Sequence, residues 1–198
     1  NTLRNKVEKA KNSPEKLVNL LCKDFNVRQN DQDKWLTFDI ANNEEKYEMK
    51  EIQDTYAVGG VDLSSTTDLT CATLLIMKNE KKYIVQQYFI PSERLEFKIK
   101  DDKIPYDKWE KRGLVTICEG AKVSYSDVTQ WFLRMNNEYQ ISALWIGYDP
   151  WNTQYWVEEM KDYGFEMVEV RQGPKTMSNP MKQLEADLKE KKVNYNNN

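Results

Sequence analysis

Histidine is absent from this sequence of 198 residues. That absence removes Ser-His-Asp and Cys-His nucleophile systems, histidine-ligated zinc, and nucleases built on a histidine general base. Any catalysis must come from carboxylates, Lys, Tyr or a metal. Cysteine is scarce as well. Cys22, Cys71 and Cys118 are widely spaced and odd in number, which fits buried thiols in a reducing compartment rather than a disulfide framework or a zinc cluster. No apolar run approaches the roughly 20 residues that span a bilayer. The polar, charged first residues carry no signal-peptide pattern. Positive charge is not in excess either: 29 Lys and Arg face 32 Asp and Glu, so there is no global basic footprint for nucleic acid. No GxxxxGKS/T phosphate loop is present, which excludes a recognisable P-loop ATPase domain.

What is present suits a globular protein: 39% of residues are hydrophobic and 31% charged, enough for one domain with a sizeable core plus an appendage. The start without Met and the end at Asn196-Asn197-Asn198 read as a piece of something longer. Ser13-Pro14-Glu15 supplies an N-cap followed by proline at the first helical position, predicting a helix to about Phe25. Residues 26–53 are polar, with Trp35, Leu36 and Phe38 as anchors, and read as a connector. The expected division is therefore 1–54 as a helical linker and 55–198 as the main domain.

From Tyr56 the pattern becomes orderly. Strands are predicted at 56–63, 69–77 and 82–90, joined closely enough to form an antiparallel meander. Residues 91–113 read as a charged, mobile insertion whose Lys98, Lys100, Lys103, Lys108, Lys111 and Arg112, interspersed with acids, read as an ordinary solvated surface, with a local basic patch for nucleic acid as the alternative. A short strand at 114–118 follows, then a helix at 125–139 with Val128, Trp131, Phe132 and Met135 on its apolar face. A strand at 142–148, a helix at 152–163 stopped by Gly164, a strand at 165–170 and a helix from Ser178 to about Lys191 complete the chain. This order builds an α/β fold: a ribonuclease H-like mixed sheet, flanked by helices, with the fourth long strand beside the first.

The consequence is chemical. YAVGGVDLSSTTD runs an apolar strand onto Asp62, and ALWIGYD runs another onto Asp149. A carboxylate buried there without a partner is costly. Neighbouring strands lie about 4.8 Å apart, so the two acids, 87 positions apart in sequence, are expected side by side. Carboxylates that close repel each other, and Mg²⁺ or Mn²⁺ relieves the repulsion through oxygen ligands. Two such ions, about 4 Å apart, support in-line phosphodiester hydrolysis without histidine. Asp62 is assigned to bridge both ions and Asp149 to hold one. Asp68 is a candidate third ligand, although an Asp there also suits turn chemistry. Ser64 and Thr66 are candidate phosphate contacts. Trp145, Trp151, Tyr155 and Trp156 form an aromatic cluster read as core, with base stacking as the alternative.

Three stretches, VGGVDLSSTTDLTCATLL, YDKWEKRGLVTICEG and IGYDPWNTQYWVEEMKDYGFEMVEVRQGPKTMSNPMKQLEADL, resemble the large terminase subunit of tailed bacteriophages and prophages. The upstream AKNSPEKLVNLLCKDFNVRQNDQDKWL resembles the stretch joining that family's ATPase motor to its nuclease. The resemblance implies a C-terminal ribonuclease H-like endonuclease that cuts concatemeric double-stranded viral DNA. It also implies portal and small terminase subunit partners in the bacterial cytoplasm, and no membrane. By position Asp62 and Asp149 match the family's first-strand and fourth-strand metal ligands. Gln172, Ser178 and Met181 match the run after the fifth strand, with no chemistry assigned. Tyr195 falls where many relatives carry histidine, and the family's remaining acid is expected beyond Asn198. Two other readings stay open at this point. One is an actin-like sugar kinase or ATPase, which needs glycine in its phosphate turns where DLSSTTD has none. The other is a packaging or assembly module that keeps the fold without activity.

Overall fold

The structure, a computed structural model, describes residues 2–11, 16–17, 20–21, 24–25, 35–64, 69–151 and 153–197. The predicted N-cap at Ser13-Pro14 and the turn residues Thr66 and Asp68 lie outside the described residues. The chain divides into two compact units, Asn1–Thr37 and Phe38–Asn198. In the smaller, helix α1 (Thr2–Lys11) is polar and Lys6 pairs with Asp24 at 2.7 Å.

The larger unit begins with two single-turn helices, α2 (Phe38–Ala41) and α3 (Met49–Ile52). Where the sequence reads as a connector, Ile52 is fully buried and Tyr47 nearly so, both in the main core. The Tyr47 hydroxyl donates to the Ile84 carbonyl at 2.7 Å, and burial pushes its pKa up to about 12.

Three antiparallel strands follow: β1 (Thr55–Asp62), β2 (Thr70–Lys78) and β3 (Lys81–Pro91). The β2–β3 turn places Asn79 at φ 51° and Glu80 at φ 63°, the left-handed pair that matches the twist of a two-residue hairpin. The expected charged insertion carries helical turns, beginning with a short 3-10 turn at Ser92–Arg94. Helices α4 (Leu95–Asp102) and α5 (Tyr106–Lys111) close over a small core of Ile90, Tyr106 and Val115. Tyr106 meets Trp109 edge-on, ring centroids 5.6 Å apart. Alternating charge hid apolar residues spaced closely enough to fold the segment down.

Strand β4 (Val115–Cys118) runs parallel to β3. Helix α6 (Tyr125–Tyr139) buries Val128, Trp131, Phe132 and Met135 as its spacing predicts. Strand β5 (Ile141–Tyr148) then lies parallel to β1. Helix α7 (Gln154–Asp162) ends at Gly164, whose φ of 86° lets the Phe165 N–H reach back to the Met160 carbonyl at 3.0 Å. Strand β6 (Met167–Glu169) pairs with β5. The last helix, α8 (Pro174–Lys189), starts four residues ahead of its expected cap. Pro174 sits in its first turn, and the Ser178 hydroxyl donates to the Pro174 carbonyl at 2.5 Å, so Ser178 is an interior residue. Strand β7 (Val193–Asn194) returns to β3.

The sheet order is β4-β3-β2-β1-β5-β6, with β7 also on β3. The strand predicted to lie beside the first does so. The core packs buried residues of β1, β2, β3 and β5 against α6 and α7. Trp156 of α7 donates its indole N–H to Thr129 Oγ1 of α6 at 3.1 Å, inside that core. Near the C-terminus Lys82 pairs with the buried Asp187, which also accepts from Gln183 at 3.0 Å. The Tyr195 hydroxyl, donating to the Ala41 carbonyl and accepting from the Asn43 N–H, ties the end of the chain to α2.

Candidate active site

β1 and β5 are parallel and in register at their last shared pair, Val61 with Tyr148. The next residue on each strand is an aspartate. Asp62 and Asp149 therefore leave the same edge of the sheet on adjacent strands about 4.8 Å apart. The close packing that sets this spacing is Gly59 against Ile146, paired three residues upstream of both acids.

Both carboxylates line one cleft of about 310 Å³, together with Trp151, Thr153 and Gln172. Val61 and Leu63 add apolar lining, and no Lys or Arg is among the described residues that line it. Asp62 is exposed and Asp149 half-buried, so the burial penalty expected of a core carboxylate is absent at Asp62 and only partial at Asp149. The strand's buried face belongs to Ala57 and Gly59, while Asp62 falls at the open end. The loop after β5 is held by Asp149 itself: the Trp151 N–H donates to its Oδ1 at 3.0 Å, and Thr153 Oγ1 donates to its carbonyl at 3.1 Å. One carboxylate oxygen thereby fixes the loop and the other is left for a ligand.

Ser64 donates its N–H to Thr70 Oγ1 at 3.0 Å, a contact that secures the turn after β1. Among the described residues no cluster of three or more acids and cysteines could hold an ion. Among the described residues the acids lining the cleft are two, with Gln172 beside them. Two oxygen-donor acids without a cation beside them fit a hard divalent ion that keeps several waters. They do not fit a closed structural zinc site.

The aromatic cluster divides. Trp156 is core, but Trp151 is 80% exposed and Tyr155 96% exposed. Trp151 precedes α7, so the helical spacing that suggested burial does not apply to it. Gln172 is the functional-site neighbour that residue chemistry missed; its signal was only its place in a motif after β6.

The sequence profile of the terminase large subunit endonuclease domain matches residues 1–198. The chain belongs to that family. This endonuclease domain is 28% identical over 130 residues to the large terminase subunit of Enterobacteria phage HK97, spanning 64% of this chain and 25% of that protein. The crystal structure of the HK97 large terminase superposes with a TM-score of 0.71 at 22% identity, over 97% of this chain and 40% of that one. The large terminase nuclease of thermophilic phage G20c, solved with bound magnesium, matches at a TM-score of 0.46 and 13% identity over 73% of this chain and 60% of its own. The chain thus spans well under half the length of the HK97 relative. Family membership replaces the actin-like kinase reading, whose glycine-rich phosphate turns the sequence lacks. No helix among the described residues is long and apolar enough to cross a membrane.

Proposed function

We propose that Asp62 and Asp149 hold divalent ions, Mg²⁺ or Mn²⁺, for phosphodiester hydrolysis of double-stranded viral DNA. The observation that carries this is that both aspartates end adjacent parallel strands and line one cleft with no cationic side chain among its described residues. When bound, such ions supply an activated water and stabilise the leaving oxygen. The protein's part is positional. Asp62, exposed at the strand end, would be a ligand shared by the ions. Asp149, with Oδ1 taken by the Trp151 N–H, is assigned to one ion through its other oxygen. The third acid is Asp68 or one outside this sequence. In the parent protein the domain acts on concatemeric DNA alongside a motor, a portal and a small subunit, in the bacterial cytoplasm. Residues 1–54 are assigned as its linker and 55–198 as its nuclease, the last part of the linker, from Phe38, packing into the nuclease core through Tyr47 and Ile52.

Calorimetry with Mn²⁺ on the wild type, Asp62→Asn and Asp149→Asn tests the assignment. Saturable binding that each substitution weakens at least tenfold supports it. Isotherms unchanged in both variants would end it. With two acids rather than three in the described cleft, plasmid nicking by this chain is expected to be weak or undetectable. Vigorous nicking would show that the two carboxylates suffice.

A further inference from the structure

A cleft that receives DNA needs something to hold it, and among the described residues that line this one there is no Lys or Arg. The two acids repel a phosphate backbone until cations are present. Trp151 lines the cleft yet leaves 80% of its surface in water. It belongs to neither apolar cluster, so packing does not account for it. Its main chain is nonetheless anchored, because the Trp151 backbone N–H donates to Asp149 Oδ1 at 3.0 Å. The residue that carries the indole is thus tied to one of the site's acids, while the ring itself stands in solvent.

Resting on the nuclease reading above, we propose that Trp151 stacks an unpaired nucleobase next to the phosphate that enters the Asp62–Asp149 cleft. A π-face binds any base, tolerates acidic surroundings, and is available only when that base has left the duplex stack. The substrate class that follows is duplex DNA opened at one step: nicked, bulged or frayed.

The test is a cycle between protein and DNA. A labelled duplex carrying a single unpaired thymine, and its twin with an abasic unit at that position, are titrated by fluorescence anisotropy in Ca²⁺ with wild type, Trp151→Phe and Trp151→Ala. Removing the base should weaken wild-type binding about tenfold, within the range for one base on one aromatic ring. Trp151→Ala should bind the thymine duplex as weakly as wild type binds the abasic one, and should no longer distinguish the two. Trp151→Phe should keep most of the discrimination. Its exposure predicts that Trp151→Ala melts with wild type, which thermal unfolding checks. If wild type shows no preference for the base, or Trp151→Ala keeps it, the proposal is overturned. Mn²⁺ isotherms on the same samples report separately: a flat isotherm sinks the ion site, whereas base discrimination still decides the stacking.

Discussion

Gly59 and Gly60 are neighbours on β1, and alanine at each should move stability in opposite directions. A Cβ on Gly59 would stand 2.7 Å from Ile146 Cγ1, 3.2 Å from its Cβ and 3.3 Å from its Cγ2. Ile146 is 0% exposed, so it has nowhere to turn, and the β1–β5 spacing must open. Overpacking of this kind costs about 1–3 kcal/mol. Losing the flexibility of glycine in the unfolded chain offsets about 0.5–1 kcal/mol of that. With the nearest contact at 2.7 Å the cost lies toward the upper end, so Gly59→Ala should destabilise by roughly 1–2.5 kcal/mol. A Cβ on Gly60 meets nothing within 4 Å, so only the favourable contribution acts, and Gly60→Ala should stabilise by up to about 1 kcal/mol. Urea unfolding with unchanged slope measures both. Because the clash lies three residues below both acids, Gly59→Ala should also weaken Mn²⁺ binding. Equal signs for the two substitutions, or a Gly59→Ala protein as stable as wild type, would refute the packing argument.

Asp187 has its pKa lowered, first through the hydrogen bond from Lys82 and next, against it, by desolvation. A depressed carboxylate adds stability above its unfolded pKa and loses it as pH falls through the folded one. Asp187→Asn should thus cost about 1.5–3 kcal/mol at pH 7, and the gap from wild type should close in acid, followed by unfolding midpoints across pH 2–7. Thr129→Val keeps the shape but strips the acceptor from the buried Trp156 indole, so chemical denaturation should show a loss of about 1–3 kcal/mol. Burial, ahead of its contact with Asp127, raises the Cys118 pKa to about 12. Alkylation mapped by mass spectrometry at pH 8 should leave Cys118 unmodified until the protein is unfolded.

Strong periodicity made much of the fold legible. The apolar stripe of 125–139 matched helix α6 residue for residue, and the meander was signalled by its short turns. The insertion was not legible, because Leu95, Ile99 and Trp109 are diluted by charge and their core closes only when Ile90 and Val115 are brought up from flanking strands. Tyr47 and Ile52 were missed for the same reason: each is a lone apolar residue in polar sequence, and burial comes from the sheet. At the site, each acid was visible as the residue ending an apolar run. The exposure of Trp151 was not, since it depends on where the chain leaves β5 before α7 begins.

The parallel pairing of β1 with β5 has a consequence in time. Both halves of the cleft exist only after the chain has emerged through Asp149 and the intervening 86 residues have been folded back. Such distant closure is entropically slow and comes with the formation of the whole sheet. A half-unfolded chain therefore has its two acids apart and no shared cleft. The cleft is completed only with the sheet itself.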